Sequence, residues 1–196
     1  MVLIQRFSQG HNFMQSDEYY ALGLQQGRLD DLTALVERHY HPLVGYLYRL
    51  NGGDRELAED LVQDTFFQVL RAIRQYRYPR PFKAWLYAIA TNLARNHHKR
   101  AETRRSFPVD GRALAGLAKE SDEQAIADAD EARRAAAMLA ALPNHQREVI
   151  VLRYYEELAL DEIAAVLRIP VGTVKSRLSL GLRRLRALME QQDAGK

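Results

Sequence analysis

From Leu158 to Met189 apolar residues recur every three or four positions in two runs, with a short break between them. Leu160, Ile163, Ala164 and Leu167 stripe the first run; Val174, Leu178, Leu182, Leu185 and Met189 stripe the second. In the break, Arg168 to Gly172, Pro170 stops the first helix and Gly172 precedes the second. Thr173 stands where an N-cap hydroxyl would satisfy the free amides of a new helix. The pattern is that of a helix-turn-helix. The outer face of its second helix offers Thr173, Lys175, Ser176 and Arg177. Hydroxyls and cations placed there reach phosphates and base edges in a major groove. An ordinary helical hairpin with a solvated basic face would carry the same pattern.

No strand-like alternation or internal repeat is evident in the 196 residues, so an all-α chain is expected. Residues 1–16 lack a sustained helical period and read as a flexible extension. From Asp17 the chain turns helical, and Asp30-Asp31 opens a helix through Leu32, Leu35, Val36 and Tyr40. His41-Pro42 interrupts it weakly before Leu43, Tyr46, Leu47 and Leu50 continue the stripe, and Asn51-Gly52-Gly53-Asp54 is a strong turn. Further helices are expected from Arg55 to about Tyr76 and from Phe82 to about Arg105. Regular pattern fades over 106–122, where Pro108, Gly111 and Gly116 mark a flexible linker. Helices resume at Glu123, break at Leu142-Pro143-Asn144, and continue through Val149, Leu152 and Leu158. The expected organisation is two small helical domains, 17–105 and 123–191, joined by the linker.

Two of these helices carry chemistry. In the one from Arg55, Leu57, Leu61, Val62, Thr65, Phe66, Val69, Leu70 and Ile73 form a core-facing stripe. Its opposite face holds Glu56, Asp60, Gln63, Asp64, Phe67 and Arg71. Acids do not serve DNA contact, and an aromatic ringed by acids suits a basic protein surface better than water, although on the residues alone a solvated acidic face with one stray aromatic is the more ordinary reading. The long helix begins with Phe82 and Trp85 and ends in Arg95, His97, His98, Lys99, Arg100, Arg104 and Arg105. Trp85, Asn92, Asn96 and Lys99 share a stripe around the edge of its core side. Aromatics and amides can hold unstacked bases while cations hold phosphates, which suits a nucleic acid whose strands are being separated; a basic helix end taken alone is more often a partner for the helix macrodipole.

Composition excludes other classes. Net charge is only +3 although the sequence pI is about 9.2, so the distribution of charge matters more than its sum. With no cysteine there is no disulfide and no thiolate metal site. His97 and His98 point in different directions on a helix and no acid completes a set, so neither a metal nor any other cofactor is expected. No HExxH, carboxylate cluster, glycine-rich phosphate loop or nucleophile setting suggests an enzyme. No apolar run approaches the roughly 18 residues that span a bilayer, and the first residues lack a signal-peptide core. A cytoplasmic protein with no membrane insertion is expected.

The segment LPNHQREVIVLRYYEELALDEIAAVLRIPVGTVKSRL resembles region four of the extracytoplasmic-function (group IV) sigma factors of RNA polymerase. DRELAEDLVQDTFFQVLRAIRQY resembles their region two core-binding segment, and FKAWLYAIATNLARNHHKR the segment that melts and reads the minus-ten element. The three stand in the family's order over about residues 25 to 190.

That resemblance implies roles for particular residues. Asp60, Gln63, Asp64 and Phe67 fall where the family grips the clamp of the largest subunit of core RNA polymerase. The loop Arg77 to Pro81, with Arg77, Tyr78 and Arg80, corresponds to the one that captures a flipped minus-ten base. Trp85, Asn92, Asn96, Lys99 and Arg100 fall along the strand-separation region. Arg153, Thr173, Lys175, Ser176 and Arg177 match positions that contact the minus-thirty-five element. The implied partners are core RNA polymerase (the clamp, and the flap of the second-largest subunit), promoter DNA and an anti-sigma factor. Two positions depart from the family. Arg168 stands where the turn usually has Gly, so the first helix is expected to end differently or to add a cation beside DNA. Leu180-Gly181 replaces the usual small-and-basic pair on the exposed recognition face, and Leu180 is expected to face DNA or solvent. The rival reading is an autonomous helix-turn-helix regulator, which would need no melting segment.

Overall fold

A computed structural model describes residues 16–105 and 123–193 of the chain, and every regular element among them is helical. Four helices form the first domain: α1 (Asp17–Gln25), α2 (Asp30–Leu50), α3 (Arg55–Ala72) and α4 (Phe82–Arg105). Four more form the second: α5 (Glu123–Ala140), α6 (Asn144–Tyr154), α7 (Leu160–Leu167) and α8 (Val171–Asp193). The expected extension up to residue 15 and the expected linker lie outside the described residues, and Ser16 belongs to the cap of α1.

Helix starts follow local chemistry. Ser16 Oγ accepts the Tyr19 amide at 3.2 Å, and Asp54 Oδ1 accepts the Leu57 amide at 3.0 Å. At α4 the acceptor comes from far away in sequence: Glu18 takes the Phe82 amide at 3.0 Å, tying α1 to the start of the long helix. Pro42 does not break α2, which runs unbroken to Leu50. Pro42 and Arg38, the residue whose carbonyl it cannot bond, are both exposed, so water can satisfy the freed acceptor. The third helix ends earlier than its apolar stripe suggests. It tightens at Ile73–Gln75 into a 3₁₀ turn, whose carbonyl at Ile73, with that of Tyr76, accepts Gln25 Nε2 at 2.7 and 2.9 Å.

The first core gathers Leu35, Leu43, Tyr46, Leu47, Val62 and Leu86, all fully buried. Tyr46 meets Tyr87 edge-on at 4.9 Å and shares a 2.7 Å hydrogen bond with Thr91, so its hydroxyl is satisfied inside the core. Leu70, expected to face this core, is 38% exposed because it lies past the edge of the stripe, beside Phe67. Val149, Leu152, Ile163, Val166, Leu167 and Val174 fill the interior of the second domain and are continuous with the same buried apolar cluster.

The turn of the helix-turn-helix closes as a left-handed cap. Arg168 takes φ 55° and ψ 49°, and its amide bonds the Ala164 carbonyl. A residue other than glycine thus ends α7 in the conformation glycine would give, at a steric cost of about 1 kcal/mol. The Pro170 carbonyl accepts the amides of Thr173 and Val174 at 2.9 and 3.1 Å, so α8 opens at Val171. Thr173 is therefore inside the first turn and not the N-cap.

Along α8 the cover of the apolar stripe thins: Val174 and Leu178 are buried and Leu185 is half-buried against the core, whereas Leu182 and Met189 are 39% and 53% exposed. Gly181, expected on the exposed recognition face, instead points at α6. A Cβ there would stand 2.7 Å from Ile150 Cδ1 and 3.3 Å from Gln146 Cβ. A larger side chain gains helix propensity worth up to about 1 kcal/mol, but overpacking costs about 1–3 kcal/mol. Gly181→Val, which gains least propensity, is expected to lower the unfolding free energy by about 2 kcal/mol in a denaturant titration.

Candidate nucleic-acid and polymerase interfaces

The acidic face of α3 is open. Asp60, Gln63 and Asp64 are exposed, and Phe67 presents 62% of its surface to solvent. Residues three, four and seven apart share one helix face, so these four form a single patch, which Leu70 extends. Among the described residues no ion pair engages Asp60 or Asp64. A solvent-exposed aromatic beside unpaired carboxylates is the kind of surface that a cationic protein partner would cover.

The residues that the family resemblance assigns to the minus-ten element divide. Asn92, Asn96, Lys99 and Arg100 are exposed along α4. Arg77, Tyr78 and Arg80 are exposed on the preceding loop, which is held by Tyr76 Oη donating to the Arg80 carbonyl at 2.6 Å. Trp85 does not join them. It is 8% exposed and packs against Tyr76 and Phe82 at 5.5 and 5.7 Å. The heptad spacing to Asn92 is real, but Trp85 is covered by Tyr76, just beyond the 3₁₀ turn, whereas Asn92 is exposed. Trp85 is a packing residue of the first domain and does not present its ring to solvent.

The next feature has no local sequence signal. The two domains pack together, α4 lying against α7 and α2 against α5 and α6. Two buried carboxylates hold the contact. Glu148 of α6 takes a two-pronged pair from Arg95 of α4, at 2.7 and 2.6 Å. Glu156, after α6, accepts the Tyr87 hydroxyl, while its backbone carbonyl accepts Lys83 Nζ at 2.7 Å. Arg49 lies over the Tyr155 ring at 4.1 Å, and Arg147 donates to the Leu50 carbonyl at 2.6 Å. Arg95 had the sequence signature of a phosphate ligand; here it is an internal ion-pair partner.

Burial raises the Glu156 pKa above the ordinary glutamate range, and the Tyr87 hydroxyl opposes that shift. The folded chain therefore holds this proton more tightly than the unfolded chain. Its contribution to stability is fullest below the ordinary glutamate pKa and declines as pH rises through the raised value. Tyr87→Phe removes the opposing donor. The variant is expected to lose about 1–3 kcal/mol of unfolding free energy, more at pH 8 than at pH 5; Glu156→Gln should flatten that difference.

On the second domain, Lys175 and Ser176 are exposed, and Thr173 and Arg177 are half-buried at the start of α8. Ser176 Oγ donates to the Thr173 carbonyl at 3.0 Å. Arg153 is exposed but donates to the Leu158 carbonyl at 2.9 Å, bracing the loop between α6 and α7. Leu180 is 44% exposed, on the outward side as expected. No group of three or more His, Cys, Asp or Glu among the described residues could hold a metal ion, and no described helix is long and apolar enough to cross a membrane.

Comparison with known proteins matches this geometry. The family model for Sigma-70 region 2 matches residues 35–104, and that for Sigma-70 region 4 matches residues 132–185. The chain is 31% identical to the ECF RNA polymerase sigma factor SigW of Bacillus subtilis, covering 83% of this chain and 91% of that one. It is also 31% identical to the RNA polymerase sigma-H factor of Pseudomonas aeruginosa, over 84% of this chain and 89% of that one. Among solved structures it is similar to CnrH in complex with the cytosolic domain of CnrY, with a TM-score of 0.70 and 28% identity over 89% of this chain and 97% of that one. An acidic helix, a basic long helix and a helix-turn-helix, in that order and with both region models matched, place this chain in the sigma-70 family, as an extracytoplasmic-function sigma factor of RNA polymerase.

Proposed function

We propose that this sigma factor divides its work among three surfaces. The α3 patch of Asp60, Gln63, Asp64 and Phe67 binds the clamp of core RNA polymerase. The loop residues Arg77, Tyr78 and Arg80, with Asn92, Asn96, Lys99 and Arg100, hold the opened minus-ten strand. Thr173, Lys175, Ser176 and Arg177, with Arg153 bracing their support, read the minus-thirty-five element. The domain limits that follow are 17–105 and 123–191, with 106–122 between them. The observation that carries this reading is the exposed Phe67 among unpaired acids, a surface that neither water nor DNA favours.

The packing of the domains adds a condition. Arg95 and Lys83 of the minus-ten helix are engaged by the second domain, and Lys99 and Arg177 line one cleft. Two promoter elements separated along a duplex cannot both be met from a single cleft, so the domains part when polymerase and promoter are engaged. CnrH has a protein partner in its structure, the cytosolic domain of CnrY. By analogy an anti-sigma factor holds this chain inactive in the cytoplasm. A free-standing helix-turn-helix regulator would have no use for the α3 patch.

The deciding experiment adds the purified chain to core polymerase and measures specific initiation on genomic fragments. Specific initiation with core is expected; tight sequence-specific DNA binding without core would reverse the assignment. Joint charge reversal at Asp60 and Asp64 should weaken core binding at least about tenfold, equivalent to 1.4 kcal/mol, in a direct binding titration. Lys175→Ala should reduce promoter use and lower the slope of log affinity against log salt by about one. Unchanged promoter use in that variant would put a different face of α8 on the DNA.

A further inference from the structure

Two helices present apolar side chains to solvent beside charges of opposite sign. On α3, Phe67 and Leu70 are exposed among the acids Glu56, Asp60 and Asp64, with Arg71 the cation at the far end of the face. No ion pair among the described residues engages Asp60 or Asp64. On the outer half of α8, Leu182 and Met189 are exposed among Arg183, Arg184 and Arg186, with Glu190 the acid. The two faces offer the same kind of apolar cover. An apolar segment that could reach either is therefore sorted by the sign of its own charge.

The chain carries such a segment. Residues 1–15 read MVLIQRFSQGHNFMQ, in which Val2, Leu3, Ile4, Phe7 and Phe13 are apolar, Arg6 is a cation and no residue is an acid. Segments that stay solvated are low in hydrophobicity and high in net charge. This one is neither, and its charge suits α3 and opposes α8. The reach is sufficient as well. The segment joins the first domain at Ser16, whose side chain caps α1. From there a path to Phe67 follows α1 to Gln25, crosses the Gln25 bonds to the Ile73 and Tyr76 carbonyls, and returns six residues along α3. At about 1.5 Å per helical residue, with about 10 Å for the crossing, that path is at most roughly 33 Å. The twelve steps from Ser16 back to Ile4 span up to about 40 Å when extended.

We propose that residues 1–15 dock on the α3 face of their own chain, Val2 to Ile4 and Phe7 covering Phe67 and Leu70 while Arg6 meets Asp60 and Asp64. A tethered segment acts at an effective concentration on the order of millimolar, so a modest intrinsic affinity is enough to close the patch. The same modest affinity lets a larger partner displace it, and apparent binding of that partner weakens only by the fraction of chains that are closed. Docking stands on the segment's composition, the exposure of the face and the reach of the chain. Its consequence, that the segment competes with core polymerase, rests on the role proposed above for the same patch.

The sequence has no cysteine, so Gln5→Cys gives the full-length protein a single thiol for a nitroxide label. In amide NMR spectra the label should broaden Gln63 to Leu70 selectively and independently of protein concentration, while Leu182 to Met189 keep their intensity. Phe67→Ser, or Asp60→Lys with Asp64→Lys, should restore the α3 signals; these side chains are exposed, and circular dichroism melts check that the variants are folded. Broadening of α8 instead, or of no particular face, would overturn the proposal. Broadening passed from a labelled chain to an unlabelled one in a mixture would assign the face to a second copy and overturn it too. In titrations with core polymerase, Ile4→Glu with Phe7→Glu should tighten binding about three- to tenfold. Unchanged core affinity despite selective broadening would sink the competition and the core-binding role of the patch, with the docking standing. Absent broadening with core binding intact would sink the docking alone.

Discussion

The arrangement of the whole chain depends on two carboxylates taken out of water, Glu148 and Glu156, and on the donors that α4 sends to meet them. A buried ion pair adds little net stability over well-packed apolar side chains, because desolvation offsets most of its Coulombic attraction. Removing one partner while the other stays buried is another matter, costing roughly 3–5 kcal/mol. The contact between the domains is therefore specific without being tenacious. It accepts one register, since any slip strands a charge, yet it can part cleanly when both partners return to water together. A purely apolar interface would lack that second property.

Helix α4 is the element on which everything converges. One side closes the first core through Phe82, Leu86 and Tyr87. A second side carries Asn92, Asn96 and Lys99 into solvent. A third sends Lys83, Tyr87 and Arg95 to the other domain. A helix with so many duties cannot be strongly amphipathic, and this one mixes small residues, aromatics, amides and cations around its circumference. The aromatic packing of Tyr76, Phe82 and Trp85 compensates by fixing its first turns firmly.

Much of this was legible in the sequence because it depends on local periodicity. The acidic face around Phe67 follows from helical spacing alone, and so do the two helices of the turn motif and the bounds of α4. What escaped depends on neighbours distant along the chain. Trp85 repeats with Asn92 and Asn96, yet Trp85 lies against Tyr76 and Phe82 while the two amides are exposed. Gly181 reads as part of an exposed pair until Ile150, some thirty residues earlier, is placed against it. Thr173 is a good N-cap by type, but the Pro170 carbonyl closes the first turn before it. Arg95 with Glu148, and Tyr87 with Glu156, are pairs that no window of local sequence contains. Arg168 is the opposite case: the position demands a left-handed residue, and the chain adopts that conformation without glycine.

The half-covered stripe of α8 has a mechanical meaning. At 23 residues and about 1.5 Å per residue the helix is a single rod roughly 35 Å long. Its first half is clamped by Val174, Leu178 and the close approach at Gly181, whereas Leu182 and Met189 extend outward with their apolar sides bare. A stiff rod gripped at one end and free at the other behaves as a lever arm. Any body that seizes the outer half sets the bearing of Lys175 and Ser176 without touching them, because a helix transmits rotation far better than it absorbs it. On the roles proposed for Lys175 and Ser176, the place at which DNA is read depends as much on what holds the handle as on the residues at the tip.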